Sequence, residues 1–149
     1  MSRQQAAGEC FKCGYNCSQS VFSTFAPEFG INYETALRVA GNFGGGMARM
    51  GETCGAVTGA FMAIGLKYSK ARFGEDAQRD KGYDLTREFV KRFTEKYGSI
   101  KCRELLNYEI GTPEGKQKIN ELKLFEKICY PIVKDSVSIT EDLLELNKS

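Results

Sequence analysis

The stretch Asp76-Ala77-Gln78-Arg79-Asp80-Lys81-Gly82-Tyr83-Asp84-Leu85-Thr86-Arg87-Glu88-Phe89-Val90-Lys91-Arg92-Phe93-Thr94-Glu95-Lys96-Tyr97 decides the fold. Tyr83, Phe89, Val90, Phe93 and Tyr97 fall on one stripe, with charges on the opposite side, a pattern that repeats with the helical period of about 3.6 residues. A helix this long needs a packing partner for that stripe. Gly98 follows as a natural left-handed stop, and Ser99 reads as the cap of a short helix from Lys101 to Leu106.

Working outward, nearly every other segment also reads as helix. The apolar positions Val21, Phe22 and Phe25 end a first helix, which Pro27 and Gly30 terminate. Asn32 caps a second, with Glu34 in its first turn and Leu37, Val39 and Ala40 on its apolar side. Gly44-Gly45-Gly46 predicts a hinge or turn, since three glycines are costly inside an element. A third helix is expected from about Glu52 to Tyr68. Thr112-Pro113-Glu114 is another helix start, with threonine as cap, proline at the first helical position and an acid in the first turn. From Leu122 to Leu146 the apolar spacing is again helical, interrupted by a break or kink at Pro131. No run alternates with period two. The expectation is therefore an all-α fold, a single-domain helical bundle of about six helices spanning residues 1–149.

A chain of 149 residues is long enough to bury a core without disulfide staples. Its hydrophobic share of 42% and charged share of 27% fit a folded protein rather than a disordered one. The net charge is only +2, and no basic block stands alone, so there is no electrostatic case for nucleic acid or a membrane surface. The longest apolar run, around Ala60 to Leu66, is too short to span a bilayer. Met1-Ser2-Arg3-Gln4-Gln5 leads into no signal-peptide core, which makes a reducing cytoplasm the expected location.

Chemistry is confined by what is missing. The chain has six cysteines and no histidine. That removes Cys/His and Ser/His/Asp catalysis, Cys₂His₂ zinc sites and histidine-ligated haem. It also removes the Glu-x-x-His ligand set of a di-iron carboxylate bundle. Sulfur is the soft ligand and strong nucleophile that remains. Cys54 and Cys102 are expected in the first turns of helices, and Cys129 close to a new helix start before Pro131. Unpaired amides and the positive end of the helix dipole favour thiolate there, so lowered pKa values are expected. A buried cysteine acting as a small hydrophobe is the plainer reading for any one of them. Cys10, Cys13 and Cys17 form a C-x₂-C-x₃-C pattern, which places three sulfurs on one face if the segment is a continuous helix. Such a stripe suits metal ligation better than an intrahelical disulfide. The bare C-x-x-C at Cys10 and Cys13 lacks the βαβ context of a thioredoxin-like motif.

Gly51, Gly55, Gly59 and Ala63 recur every fourth residue and make a flat groove on the third helix. Close helix–helix contact and a cofactor lying in the groove both account for it. Gly46-Met47-Ala48-Arg49-Met50-Gly51-Glu52-Thr53 has Walker A spacing, but Glu52 stands where the phosphate-binding lysine belongs, and no strand precedes it; this is not a nucleotide site. Arg49 is then free to pair with Glu52 or to face an anionic cofactor. The aromatic residues interleave at helical period and read as core.

Three segments carry a resemblance. Gly14-Tyr15-Asn16-Cys17-Ser18-Gln19-Ser20-Val21, Gly41-Asn42-Phe43-Gly44-Gly45-Gly46-Met47 and Gly51-Glu52-Thr53-Cys54-Gly55-Ala56-Val57-Thr58-Gly59 resemble the C-GCAxxG-C-C family of redox-active proteins. The likeness continues through Tyr97-Gly98-Ser99-Ile100-Lys101-Cys102-Arg103-Glu104-Leu105-Leu106 to Cys129. It implies four signature cysteines, here Cys17, Cys54, Cys102 and Cys129, with Cys10 and Cys13 as extras. A similar domain sits beside haem in split-Soret-type cytochromes, where it carries an iron–sulfur cluster; without C-x-x-C-H the haem part does not transfer. The leading expectation is thus a redox-active electron-transfer protein with those four cysteines on an iron–sulfur cluster, serving an electron donor or acceptor protein. Two alternatives stand beside it: a metal-free thiol–disulfide protein, and a four-cysteine zinc domain that acts as an interaction module. The sequence does not fix the oligomeric state, and a cluster shared within a homo-oligomer is compatible with it.

Overall fold

The computed structural model describes residues 1–74 and 76–147, and there the chain is helical without a strand. Eight α-helices run through the described residues: α1 Arg3–Lys12, α2 Cys17–Phe25, α3 Tyr33–Val39, α4 Gly55–Tyr68, α5 Asp76–Tyr97, α6 Cys102–Leu106, α7 Pro113–Glu121 and α8 Tyr130–Leu143. The all-α expectation holds, but the count is eight rather than about six.

One extra helix comes from the first run, which is two helices. Gly14 turns the chain with φ +108°, and Asn16 opens α2 with a reciprocal cap. The Gln19 N–H donates to Asn16 Oδ1 (2.8 Å) while the Asn16 N–H donates to Gln19 Oε1 (2.9 Å). The third helix starts at Gly55, three residues later than expected. Thr53 instead pairs with Lys101 in an isolated bridge, where Cys54 N–H donates to Ile100 O and Cys102 N–H to Glu52 O, both at 2.7 Å. Ser99 is not the cap of α6 either; Lys101 occupies that position, and the Ser99 hydroxyl accepts from Lys101 N–H (3.0 Å) and donates to Glu104 (2.7 Å).

Other starts and stops follow the sequence. Asn32 caps α3 by accepting from Thr35 N–H, and Thr112 caps α7 by accepting from Gly115 N–H. Gly98 ends α5 at φ +84°. Near Pro131 the helix does not break. It enters through a π turn, Phe125–Cys129, in which Tyr130 N–H reaches back five residues to Phe125 O. Pro131 has no N–H to donate to Lys127 O, so a wider turn there leaves one less bond to lose.

The main core joins α2, α4, α5 and α8 through Phe25, Val57, Ile64, Phe89, Phe93, Val133 and Val137. Phe61, Phe89, Phe93 and Tyr97 continue it as a chain of ring contacts, with centroids 6.1, 5.8 and 4.9 Å apart. Two expected core positions are not core: Tyr83 is 56% and Val39 52% exposed. Gly55 and Gly59 of α4 are explained by packing. A Cβ on Gly59 would stand 2.9 Å from Ser18 O, and one on Gly55 2.8 Å from Ser18 N, so α2 lies directly in the groove. Gly51 lies before the helix and takes no part in it. Ser18 and Thr58 hydroxyls meet at 3.2 Å across this contact, and Ser136 donates to Ala56 O at 2.7 Å to tie α8 to α4. No helix among the described residues is long and apolar enough to cross a membrane.

Candidate thiol centre

The same caps that split the chain into helices place four sulfurs. Cys17 is the first residue of α2, directly after the Asn16 cap, and Cys102 is the first residue of α6. Cys54 is itself the cap of α4, and Cys129 closes the π turn at the head of α8. All four line one cavity of about 1020 Å³. Cys54, Cys102 and Cys129 are buried, and Cys17 is half-buried.

Within this cavity the thiols act on one another. Cys129 is the neighbour felt most strongly at Cys17, and Cys54 and Cys102 are also close enough for their charges to be felt there. The interaction with Cys129, then burial, then those neighbours hold the Cys17 thiol well above its ordinary value. Burial pushes Cys54 up to about 12, against opposing amides of Ala56 and Val57 at the start of α4. Burial also raises Cys102 to about 12, with Cys129 and Glu109 adding to it and Arg103 opposing. The lowered pKa values expected for Cys54 and Cys102 at helix starts are therefore corrected: desolvation and thiol–thiol repulsion outweigh the helix dipole. Cys54 and Cys102 therefore stay protonated at neutral pH.

Cys17, Cys54, Cys102 and Cys129 are the soft donors on this cavity that could hold a metal or cluster. Four thiolates on one zinc, with Zn–S of about 2.3 Å, must stand about 3.8 Å apart. Among the described residues, no three cysteine or carboxylate groups converge closely enough to hold one ion.

The wall opposite the helices is the glycine segment. Gly45, Gly46, Met47, Ala48 and Arg49 all have positive φ, between 50° and 68°, forming one left-handed turn. A non-glycine residue there costs about 1–2 kcal/mol. Backbone bonds hold it, among them Ala48 N–H to Asn42 O and Glu52 N–H to Gly46 O, both 2.9 Å. Gly46 is glycine for a second reason, since a Cβ on it would meet Cys102 Cβ at 2.7 Å. Arg103 clamps the end of the turn, donating to Glu52 (2.6 Å), Met50 O (2.8 Å) and Gly51 O (3.2 Å). Glu52 therefore pairs with Arg103, not with Arg49.

Cys10 and Cys13 are not part of this centre. The break at Gly14 removes the expected three-sulfur stripe. Cys10 Sγ lies buried 3.5 Å from Tyr33 Oη and 3.9 Å from Ser23 Oγ, and Cys13 is exposed at the end of α1. Sequence reading missed the cavity's aromatic wall of Phe11, Tyr15, Phe125 and Tyr130, which helical periodicity assigned to core.

No curated protein and no solved structure matches the chain. The sequence model of the family described as "Putative redox-active protein (C_GCAxxG_C_C)" matches residues 15–143, a span that contains all four thiols of the cavity, and the chain belongs to that family.

Proposed function

We propose that the protein is an electron carrier in which Cys17, Cys54, Cys102 and Cys129 hold an iron–sulfur cluster. The observation that carries this reading is the meeting of four thiols, from four helix starts, on one cavity in a chain without imidazole. A cluster bound there supplies one-electron transfer. The protein's own part is to exclude water with the buried walls and to aim amides at the ligands. The Ala56 and Val57 amides at the start of α4 favour the charged form of Cys54, an influence of the kind that sets cluster potentials. An electron donor or acceptor protein and a reducing compartment complete the reading.

The test is anaerobic purification with a visible spectrum and iron, sulfide and zinc assays on one sample. Brown protein with matched iron and sulfide is expected, with loss of both in Cys54→Ser and retention in Cys10→Ser. Equal loss from the two variants, or full retention in Cys54→Ser, refutes the division between the four thiols and the outer pair.

The placing of Cys17 and Cys129 as neighbouring thiols on one cavity favours one second reading, a thiol–disulfide couple. Both thiols would give up two protons and two electrons to a small disulfide, which leaves as two thiols. Colourless protein with a reversible Cys17–Cys129 bond, mapped by mass spectrometry, would select it.

A further inference from the structure

The cavity is larger than four sulfur ligands require, and its outer wall has a chemistry of its own. A volume of about 1020 Å³ sits at the upper end of the range, about 300–1,000 Å³, that holds small organic ligands. Phe11, Tyr15, Phe125 and Tyr130 supply apolar and aromatic surface. Charge on the lining is mostly positive: Lys12 and Arg49 against Glu126 among the described lining residues. Lys12 Nζ sits over the Tyr130 ring, 4.9 Å from its centroid.

Two arginines flank the left-handed turn, and they differ. Arg103 is engaged by Glu52, by Glu109 and by two carbonyls, and its charge reaches Cys102. The Arg49 guanidinium has no carboxylate or carbonyl partner among the described residues. Its stem is folded back over the glycines, since a Cβ on Gly45 would stand 2.9 Å from Arg49 Cγ. The amides of Gly45 and Gly46, on the same wall, also lack an acceptor among the described residues, although Gly46 is buried. An unpartnered amide on a buried residue is uncommon, and that of Gly46, with the half-buried Gly45 beside it and the exposed, unpaired Arg49 on the same wall, offers donors for an oxyanion.

We infer that the cavity over the four thiols binds a small organic anion, an apolar body with a carboxylate or phosphate head, the head being held by Arg49 and the Gly45 and Gly46 amides. Such a ligand lies with its body on the aromatic wall and against the thiol centre, where a redox substrate would have to sit. The inference stands independently of what the thiols hold, so it is tested on reduced, metal-free full-length protein as well as on reconstituted protein.

The probes are benzoate, phenyl phosphate, neutral benzamide and inorganic phosphate, followed by amide and arginine side-chain resonances in nitrogen-15 spectra. Saturable shifts of the Gly45, Gly46 and Arg49 signals are expected with benzoate or phenyl phosphate. Losing one charge-assisted contact in Arg49→Gln should weaken that binding about ten-fold or more. Arg49→Gly should do the same; glycine is at ease at φ +63°, so it guards against misfolding in the first variant. Absence of saturable shifts with both organic anions overturns the inference. So does binding by benzamide as tight as by benzoate, or binding untouched by both Arg49 variants. Inorganic phosphate binding as tightly as phenyl phosphate overturns the role of the aromatic wall.

Discussion

Replacing Gly59 by alanine should destabilise the protein, although alanine is the better helix former. By propensity alone, Gly→Ala inside a helix gains about 1 kcal/mol. At Gly59, however, the new methyl would stand 2.9 Å from Ser18 O, 3.0 Å from Val21 Cβ and 3.3 Å from Phe22 N. Two of those atoms are backbone of α2 and cannot turn aside, so the two helices must separate. Overpacking of this kind costs about 1–3 kcal/mol, leaving a net loss of about 1 kcal/mol. Gly65 in the same helix is the internal comparison. Its added methyl would meet only Ser69 Oγ, at 3.7 Å, an ordinary contact. Gly65→Ala should therefore gain about 0.5–1 kcal/mol. The two variants should differ by about 2 kcal/mol, which at about 3 °C per kcal/mol for a chain of this size is about 6 °C in melting temperature. Thermal and urea unfolding of both, side by side, measure it. If Gly59→Ala is as stable as Gly65→Ala, the close approach of α2 to α4 is not what excludes a side chain there, and the packing account of the glycine groove fails.

Ala48→Gly should stabilise the protein by about 0.5–1 kcal/mol in urea unfolding, because the left-handed penalty at φ +50° exceeds the extra freedom glycine gives the unfolded chain; a loss of stability would contradict a strained turn. Metal-free protein should lose stability as pH rises from about 9 to about 12, since Cys54 and Cys102 bind their protons more tightly folded than unfolded, so their contribution is complete below the unfolded value and gone above the folded one. A double Cys54→Ala, Cys102→Ala variant should flatten that slope, and an unchanged slope would assign it to other groups.

Legibility of the fold followed the strength of local signals. Asn32, Gly98 and Thr112-Pro113 each carry a cap or stop whose chemistry is complete within a few residues, and each lies where expected. The start of α2 had an equally complete signal, Asn16 with Gln19, but the helical spacing of Cys10, Cys13 and Cys17 competed with it. At Thr53 and Lys101 the deciding contact joins residues 48 positions apart, which no window on the sequence contains. The left-handed turn was legible only as far as its glycines; Met47, Ala48 and Arg49 carry no residue preference for φ above zero. The four signature thiols were identified from the family's pattern, and the structure brings them to one cavity. The acidity of Cys54 and Cys102 was misjudged for a physical reason: a helix start is visible in sequence, whereas the depth of burial and the distance to the next sulfur are not.

The spacing of those thiols along the chain has a consequence for biosynthesis. Cys17 and Cys54 leave the ribosome early, but Cys129 follows only when most of the polypeptide exists, and it sits in the π turn that leads into α8, which packs on α1. On the proposed cluster reading, a nascent or truncated chain offers no complete ligand set, and loading would come after the tertiary structure has closed. Occupancy of the centre would then report that α2, α4, α6 and α8 have all reached their places, a final inspection of the folded chain.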